Sequence, residues 1–140
     1  MRSHRSLFIA VLLAVGWVSQ ASASDIKIVA NASVGASSAS LQEIKAVFLL
    51  AKSALSDGSH VQPVIGKGPA YAEFCQEYLG KTPLGLETFY RSLVFSGTGA
   101  QPKTLNSDDE VLAYVAKTKG AVGYVSAGAS TTGVKTLEVK

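Results

Sequence analysis

Beyond Ala23 the chain has no tryptophan, a single cysteine (Cys75), a single histidine (His60) and a single arginine (Arg91). Each scarcity excludes something. One cysteine allows no internal disulfide, so a disulfide-stapled secreted module is ruled out. One histidine and one cysteine leave no zinc-ligand set. No nucleophile, base and orienting group can be assembled, so no enzyme is expected. No cofactor is expected either.

Charge is scarce as well. Only 16% of residues are charged, with 13 basic against 10 acidic. Two of the basic residues, Arg2 and Arg5, lie at the extreme N-terminus. Without them the chain is close to neutral and carries no electrostatic footprint for nucleic acid.

The N-terminus has the order of a secretory signal. Arg2, His4 and Arg5 are followed by the apolar run Leu7 to Val18 and then by Ala21-Ser22-Ala23, a small-x-small cleavage site. The run is well short of the ~20 residues that span a bilayer as a helix. The expectation is a signal peptide over residues 1–23, removed on export, with one soluble periplasmic domain over residues 24–140. No cysteine follows the run to carry a lipid anchor. Contact with a membrane would come only through a partner.

With 47% hydrophobic residues over the whole sequence and low charge, the chain reads as globular. Ile26 to Ala30 alternates and carries Val and Ile, as a strand does. Asn31 to Ser40 reads as a loop. Ser40-Leu41-Gln42-Glu43 has capping-box spacing, and Leu41, Ile44, Val47, Phe48 and Ala51 then share a helical face. After the turn Asp57-Gly58-Ser59, Val61 to Ile65 reads as a strand. Pro63 cannot donate to a ladder, which places it at an edge or a bulge.

Gly66-Lys67-Gly68 leads into a helix started by Pro69 and stopped by Gly80. Thr82-Pro83 opens the next helix, whose stripe is Leu86, Phe89, Tyr90, Leu93 and Val94. Ser96 to Lys103 reads as a loop. Ser107-Asp108-Asp109-Glu110 is a second capping-box match, and Gly120 ends that helix. Ala121 to Val125 and Val134 to Val139 read as strands. The alternation predicts an α/β fold, with helices packed on one small mixed sheet.

Candidate chemistry is sparse. Cys75 lies in the apolar stripe Tyr71, Phe74, Tyr78 and reads as a buried core thiol. His60 reads as a surface turn residue. Asp108-Asp109-Glu110 reads as an acidic first helical turn, and no metal site is expected. Gly66-Lys67-Gly68 stands between a strand and a helix N-terminus, where free N–H groups and the dipole suit an anion. Taken alone, an ordinary strand-to-helix turn is the better reading, since a G-x-G is a weak signal. The loops at Asn31 and Ser33, and at Ser96, Gly97 and Thr98, have the same character. Arg91 offers a guanidinium suited to fork-like oxyanion contacts, or is simply a surface residue.

Taken in order, several segments resemble a known family. They are Ile26 to Ser33, Leu41 to Leu50, Asp57-Gly58-Ser59 with Val61 to Val64, Phe74 to Gly80, Leu93 to Gly99 and Gly120-Ala121-Val122-Gly123-Tyr124-Val125. The set is similar to small periplasmic phosphate-binding-protein-like domains, relatives of the substrate-binding component of high-affinity phosphate ABC transporters. The resemblance implies one lobe of a type II periplasmic-binding-protein-like fold. It implies binding of phosphate or a similar small oxyanion on backbone N–H groups and hydroxyls at helix N-termini, and the loops that offer such groups here place the site at Asn31, Ser33, Gly66, Lys67, Gly68, Ser96, Gly97 and Thr98. It also implies a membrane ABC transporter or sensor protein as partner.

The chain departs from the family's pattern. Gly68, Pro69, Ala70 and Tyr71 stand where relatives carry a Gly-Ser pair and often Arg or Thr. Tyr90 stands for a frequent Trp, and Thr98 for a Lys or Arg. The oxyanion site therefore has fewer donors than its relatives. The alternative is an exported interaction or sensory domain that keeps the fold and binds a protein. A clamshell cleft would need a second chain; otherwise the site is open on a single lobe.

Overall fold

The computed structural model describes residues 26–140. The expected leader, residues 1–23, and the boundary at Ser24 lie outside the described residues. Six strands form one mixed sheet: β1 (Ile26–Ala30), β2 (Ser38–Ala39), β3 (Gln62–Gly66), β4 (Lys103–Leu105), β5 (Ala121–Ser126) and β6 (Lys135–Val139). Their order is β2-β6-β1-β5-β3-β4. β1 runs antiparallel to both neighbours, β5 and β6. β3 runs parallel to β4 and β5.

The period-two alternation of the strands sends side chains to two cores. Ile28, Ala30, Ile65, Val122 and Tyr124 join α1 (Leu41–Phe48), α2 (Tyr71–Phe74), the π-helical turn Cys75–Leu79 that continues it, and α3 (Pro83–Phe95). Val29, Val64, Ala121 and Val125 face Val111 and Val115 of α4 (Asp108–Lys117). Helices thus cover both faces, because the strands are apolar on both. In the larger core the Phe74 ring stacks on Tyr124 at 3.8 Å and meets Phe48 edge-on at 4.8 Å.

The helix starts follow their capping chemistry. Ser40 Oγ accepts from Glu43 N–H, and Glu43 Oε2 accepts from Ser40 N–H, closing a full capping box. Thr82 and Ser107 cap α3 and α4. Glu110, however, accepts from Asn106 N–H, one residue before the cap. Gly80 ends the π turn at φ 64°, a left-handed stop that glycine adopts without cost.

The expected α/β fold with one mixed sheet stands. Some local details differ. β3 is an interior strand, although Pro63 suggested an edge or a bulge; Pro63 pairs with Val122 of β5 and lies before the β4 ladder, which begins at Val64. Two short strands, β2 inside the expected loop Asn31 to Ser40 and β4 starting at the end of the loop Ser96 to Lys103, are too short for periodicity to reveal. The helix after Pro69 begins at Tyr71. Leu41 is exposed and Val94 is 49% exposed, so the apolar stripes of α1 and α3 are narrower than their hydrophobic positions suggest.

Candidate functional site

The glycine-lysine-glycine loop leaves the C-terminal end of β3. Gly66 is buried, and its carbonyl accepts from the Tyr124 hydroxyl at 2.7 Å. A Cβ here would lie 2.7 Å from Val111 Cγ2, so glycine is needed for α4 to pack on the strand. The Lys67 N–H is committed to the Leu105 carbonyl of β4. Pro69 has no N–H, and the Tyr71 N–H bonds back to the Gly68 carbonyl. Several amides of this loop are therefore not free for a ligand.

Asp108 adds to that constraint. Its Oδ2 accepts from Ser126 N–H at the end of β5. Its Oδ1 lies 3.1 Å from where a Cβ of Gly68 would be. An acid thus sits on the α4 side of the loop, at a helix N-terminus where its charge is favourable. An anion is repelled from that side.

The open side faces α3. Lys67, Glu87, Arg91, Val94 and Gln101 line a cleft of about 290 Å³. Lys67 Nζ lies 2.9 Å from Glu87 Oε1, with both side chains partly exposed. Glu87 and Arg91 stand four residues apart on α3 and so share its surface. Two cations and one carboxylate from two elements leave the cleft with one excess positive charge. Arg91 was readable as a candidate from its guanidinium. Glu87 was missed, and only its spacing of four to Arg91 could have signalled it.

The remaining sequence candidates are placed elsewhere. The buried Asn31 side chain donates to the carbonyls of Val115 at 2.8 Å and Ala116 at 3.1 Å, and accepts from Ser33 N–H. It closes the C-terminal end of α4. Ser33 Oγ accepts from Gly120 N–H. Ser33 also lines a separate cleft of about 480 Å³ with Ser53, His60, Lys119 and Gly120. Asn31 N–H bonds to Ala121, where β5 begins, whereas Gly66 ends the parallel β3. Asn31 and Ser33 are thus at the opposite end of the strands from Lys67, separated by the length of β3, about 15 Å.

Ser96, Gly97 and Thr98 form the C-terminal stop of α3. Gly97 N–H bonds to Val94 and Thr98 N–H to Leu93, with Gly97 at φ 70°. This is a Schellman stop, whose amides are consumed by the helix and whose dipole end is negative. The Ser96 and Thr98 hydroxyls bond to each other at 2.7 Å.

Hydrogen bonds from Ser40 and Ser59 lower the Glu43 and Asp57 carboxyls, while burial governs the raised groups. It pushes the Cys75 thiol up to about 11 and the Tyr71 hydroxyl up to about 12. Tyr90 and Tyr124 are raised for the same reason, and their hydroxyls donate to Phe48 and Gly66 carbonyls. None of these groups lines the cleft. Among the described residues, no group of three or more His, Cys, Asp or Glu side chains could hold a metal ion.

The fold is similar to that of solved phosphate receptors. An ABC-type phosphate transport receptor from Vibrio cholerae superposes with a TM-score of 0.54 at 15% identity, over 82% of this chain and 46% of the receptor. A protein from Clostridium perfringens, described as a phosphate ABC transporter substrate-binding protein with bound phosphate, superposes at 0.52 with 12% identity, over 82% and 44%. The fold is that of one lobe of such a receptor. The chain spans less than half the length of either. No protein-family model and no curated protein sequence matches it. Among the described residues, no helix is long and apolar enough to cross a membrane.

Proposed function

We propose that this chain is an exported, non-enzymatic binding module that takes phosphate or a similar oxyanion weakly in the cleft between Lys67 and Arg91. The observation that carries the reading is the convergence of those two cations, from the loop after β3 and from α3, on one cleft. The phosphate-receptor fold supports it, as does the signal-like N-terminus. Delivery to a membrane transporter or sensor is part of the same proposal.

Weak binding follows from the donors. Amides at Lys67, Pro69 and Tyr71 are committed or absent, and Glu87 already holds the lysine. Each missing bond to a charged ligand removes about 1.5–3 kcal/mol. Two such losses turn a micromolar binder into a millimolar one. Phosphorus NMR or calorimetry at low ionic strength tests this. Binding that weakens in both Lys67→Ala and Arg91→Ala supports the site. Binding indifferent to both moves the site elsewhere, and no binding at tens of millimolar (the range reached by that estimate) removes the oxyanion reading.

The second reading, an interaction domain, is favoured by one observation. Phe95 is 85% exposed and Leu84 is 68% exposed on the same helix that borders the cleft.

A further inference from the structure

The outer face of α3 carries two large exposed apolar side chains, Leu84 and Phe95, that pack on nothing in the core among the described residues. Leu84, Thr88, Arg91 and Phe95 are all exposed and fall on one side of the helix, at spacings of four, three and four. Val94, 49% exposed, flanks them on the cleft side, as does Glu87. Leu84 and Phe95 stand at opposite ends of this face, about 16 Å apart along the helix, and each presents a large apolar side chain to water.

The pattern of this face is self-complementary. We propose that α3 docks against α3 of a second copy of this chain, antiparallel, about a two-fold axis between Thr88 and Arg91. In that register Leu84 meets the partner's Phe95 at one end, and Phe95 meets the partner's Leu84 at the other. A two-fold interface requires this reciprocity. Between these anchors, Glu87 of each copy comes beside the partner's Arg91. Lys67 holds Oε1 of Glu87, and Oε2 makes no further ion pair among the described residues. The two charge pairs select the antiparallel arrangement, because a parallel one sets Arg91 beside the partner's Arg91 and Glu87 beside the partner's Glu87.

Size sets the strength. A 13-residue helix is about 20 Å long. One such face buries less than the ~1,200 Å² of standard stable complexes, so the dimer is weak and depends on concentration. It also sets a second copy at the mouth of the cleft, because Arg91 belongs to both surfaces. The dimer does not depend on the oxyanion reading: phosphate binding and self-association are measured separately, and either can fail alone.

Sedimentation equilibrium of the protein, expressed with its natural N-terminus so that the cell performs any processing, tests this. The average mass is expected to rise toward the dimer between about 10 µM and about 1 mM. Phe95→Asp and Leu84→Asp should each weaken association by about tenfold or more, with unchanged circular dichroism, since both positions are exposed. Arg91→Glu and Glu87→Arg should each weaken it, and the double exchange should restore it. A monomer over the whole range overturns the proposal. So does a dimer insensitive to Phe95→Asp and Leu84→Asp, and so does a double exchange that fails to restore association.

Discussion

Lys67 Nζ and Glu87 Oε1 are 2.9 Å apart, so the lysine offered to an oxyanion is already held by a carboxylate of the same chain. Glu87 competes with any anion for Lys67. Glu87→Gln should therefore tighten phosphate binding, and Lys67→Ala should weaken it. The pair is exposed, so the change is about 0.5–1 kcal/mol, or roughly two- to fivefold in Kd. Titration calorimetry at low ionic strength measures it. Unchanged affinity in Glu87→Gln would place the anion away from this carboxylate.

Val111 occupies space left by two missing side chains. A Cβ at Gly66 would lie 2.7 Å from Cγ2 of Val111, and one at Gly123 would lie 3.0 Å from Cγ1. Gly66→Ala should destabilise by about 1–3 kcal/mol through overpacking. Val111→Ala in the Gly66→Ala background should recover part of that loss, because the clashing methyl is gone. Urea unfolding of the single and double variants decides it, and strictly additive losses would show that the two sites do not touch.

The glycine at 66 shows where the sequence misleads. Its place between a strand and a helix suggested a loop open to an anion, yet its absent side chain makes room for α4 and its carbonyl serves Tyr124. Local patterns were legible: strand alternation at Ile26 to Ala30, the caps at Ser40, Thr82 and Ser107, and the stop at Gly80 all follow from neighbours within four residues. The direction of β1 was not legible. Only its antiparallel pairing with β5 carries Asn31 and Ser33 to the far end of the strands, and pairing depends on residues almost a hundred positions away. Arg91 was visible by its chemistry, whereas Glu87 became visible only once α3 was laid beside the Lys67 loop.

Cys75 is fully buried, and burial pushes its thiol up to about 11. The unfolded thiol titrates near ~8.5. Because the folded value is the higher, the contribution to stability is complete below ~8.5 and is lost as pH rises toward about 11. The raised tyrosines act only above their unfolded value of ~10, so the interval from ~8.5 to ~10 reports the thiol. Urea midpoints should fall with pH across that interval, and Cys75→Ala, though less stable throughout, should flatten the fall. Native protein should also react with a thiol reagent far more slowly than denatured protein. An unchanged slope in Cys75→Ala would assign the pH effect to other groups.

Trp17 is the chain's one tryptophan and lies in the leader-like segment. If export removes residues 1–23, the purified exported protein should show tyrosine emission alone. Its N-terminal sequence should then begin at Ser24. Indole emission from that protein would mean that the segment is retained.

Asn31 separates a ligand role from a structural one. Its amide donates to the Val115 and Ala116 carbonyls, and its oxygen accepts from Ser33 N–H, in a buried setting. Those two carbonyls belong to the last turn of α4, where no further helical N–H follows to satisfy them. Asn31→Ala leaves them without this donor, and each unsatisfied buried group costs about 1–3 kcal/mol. The expected outcome is a clear drop in the urea midpoint. Phosphate affinity, measured well below that midpoint, should stay unchanged, because Asn31 is about 15 Å from the Lys67 cleft. Asn31→Asp is the sharper variant: it keeps the acceptor for Ser33, removes the donor to α4 and adds a negative charge. It too should destabilise. A loss of phosphate binding in either variant, with stability intact, would instead put the anion at the end of the strands where Ser33 and Gly120 meet.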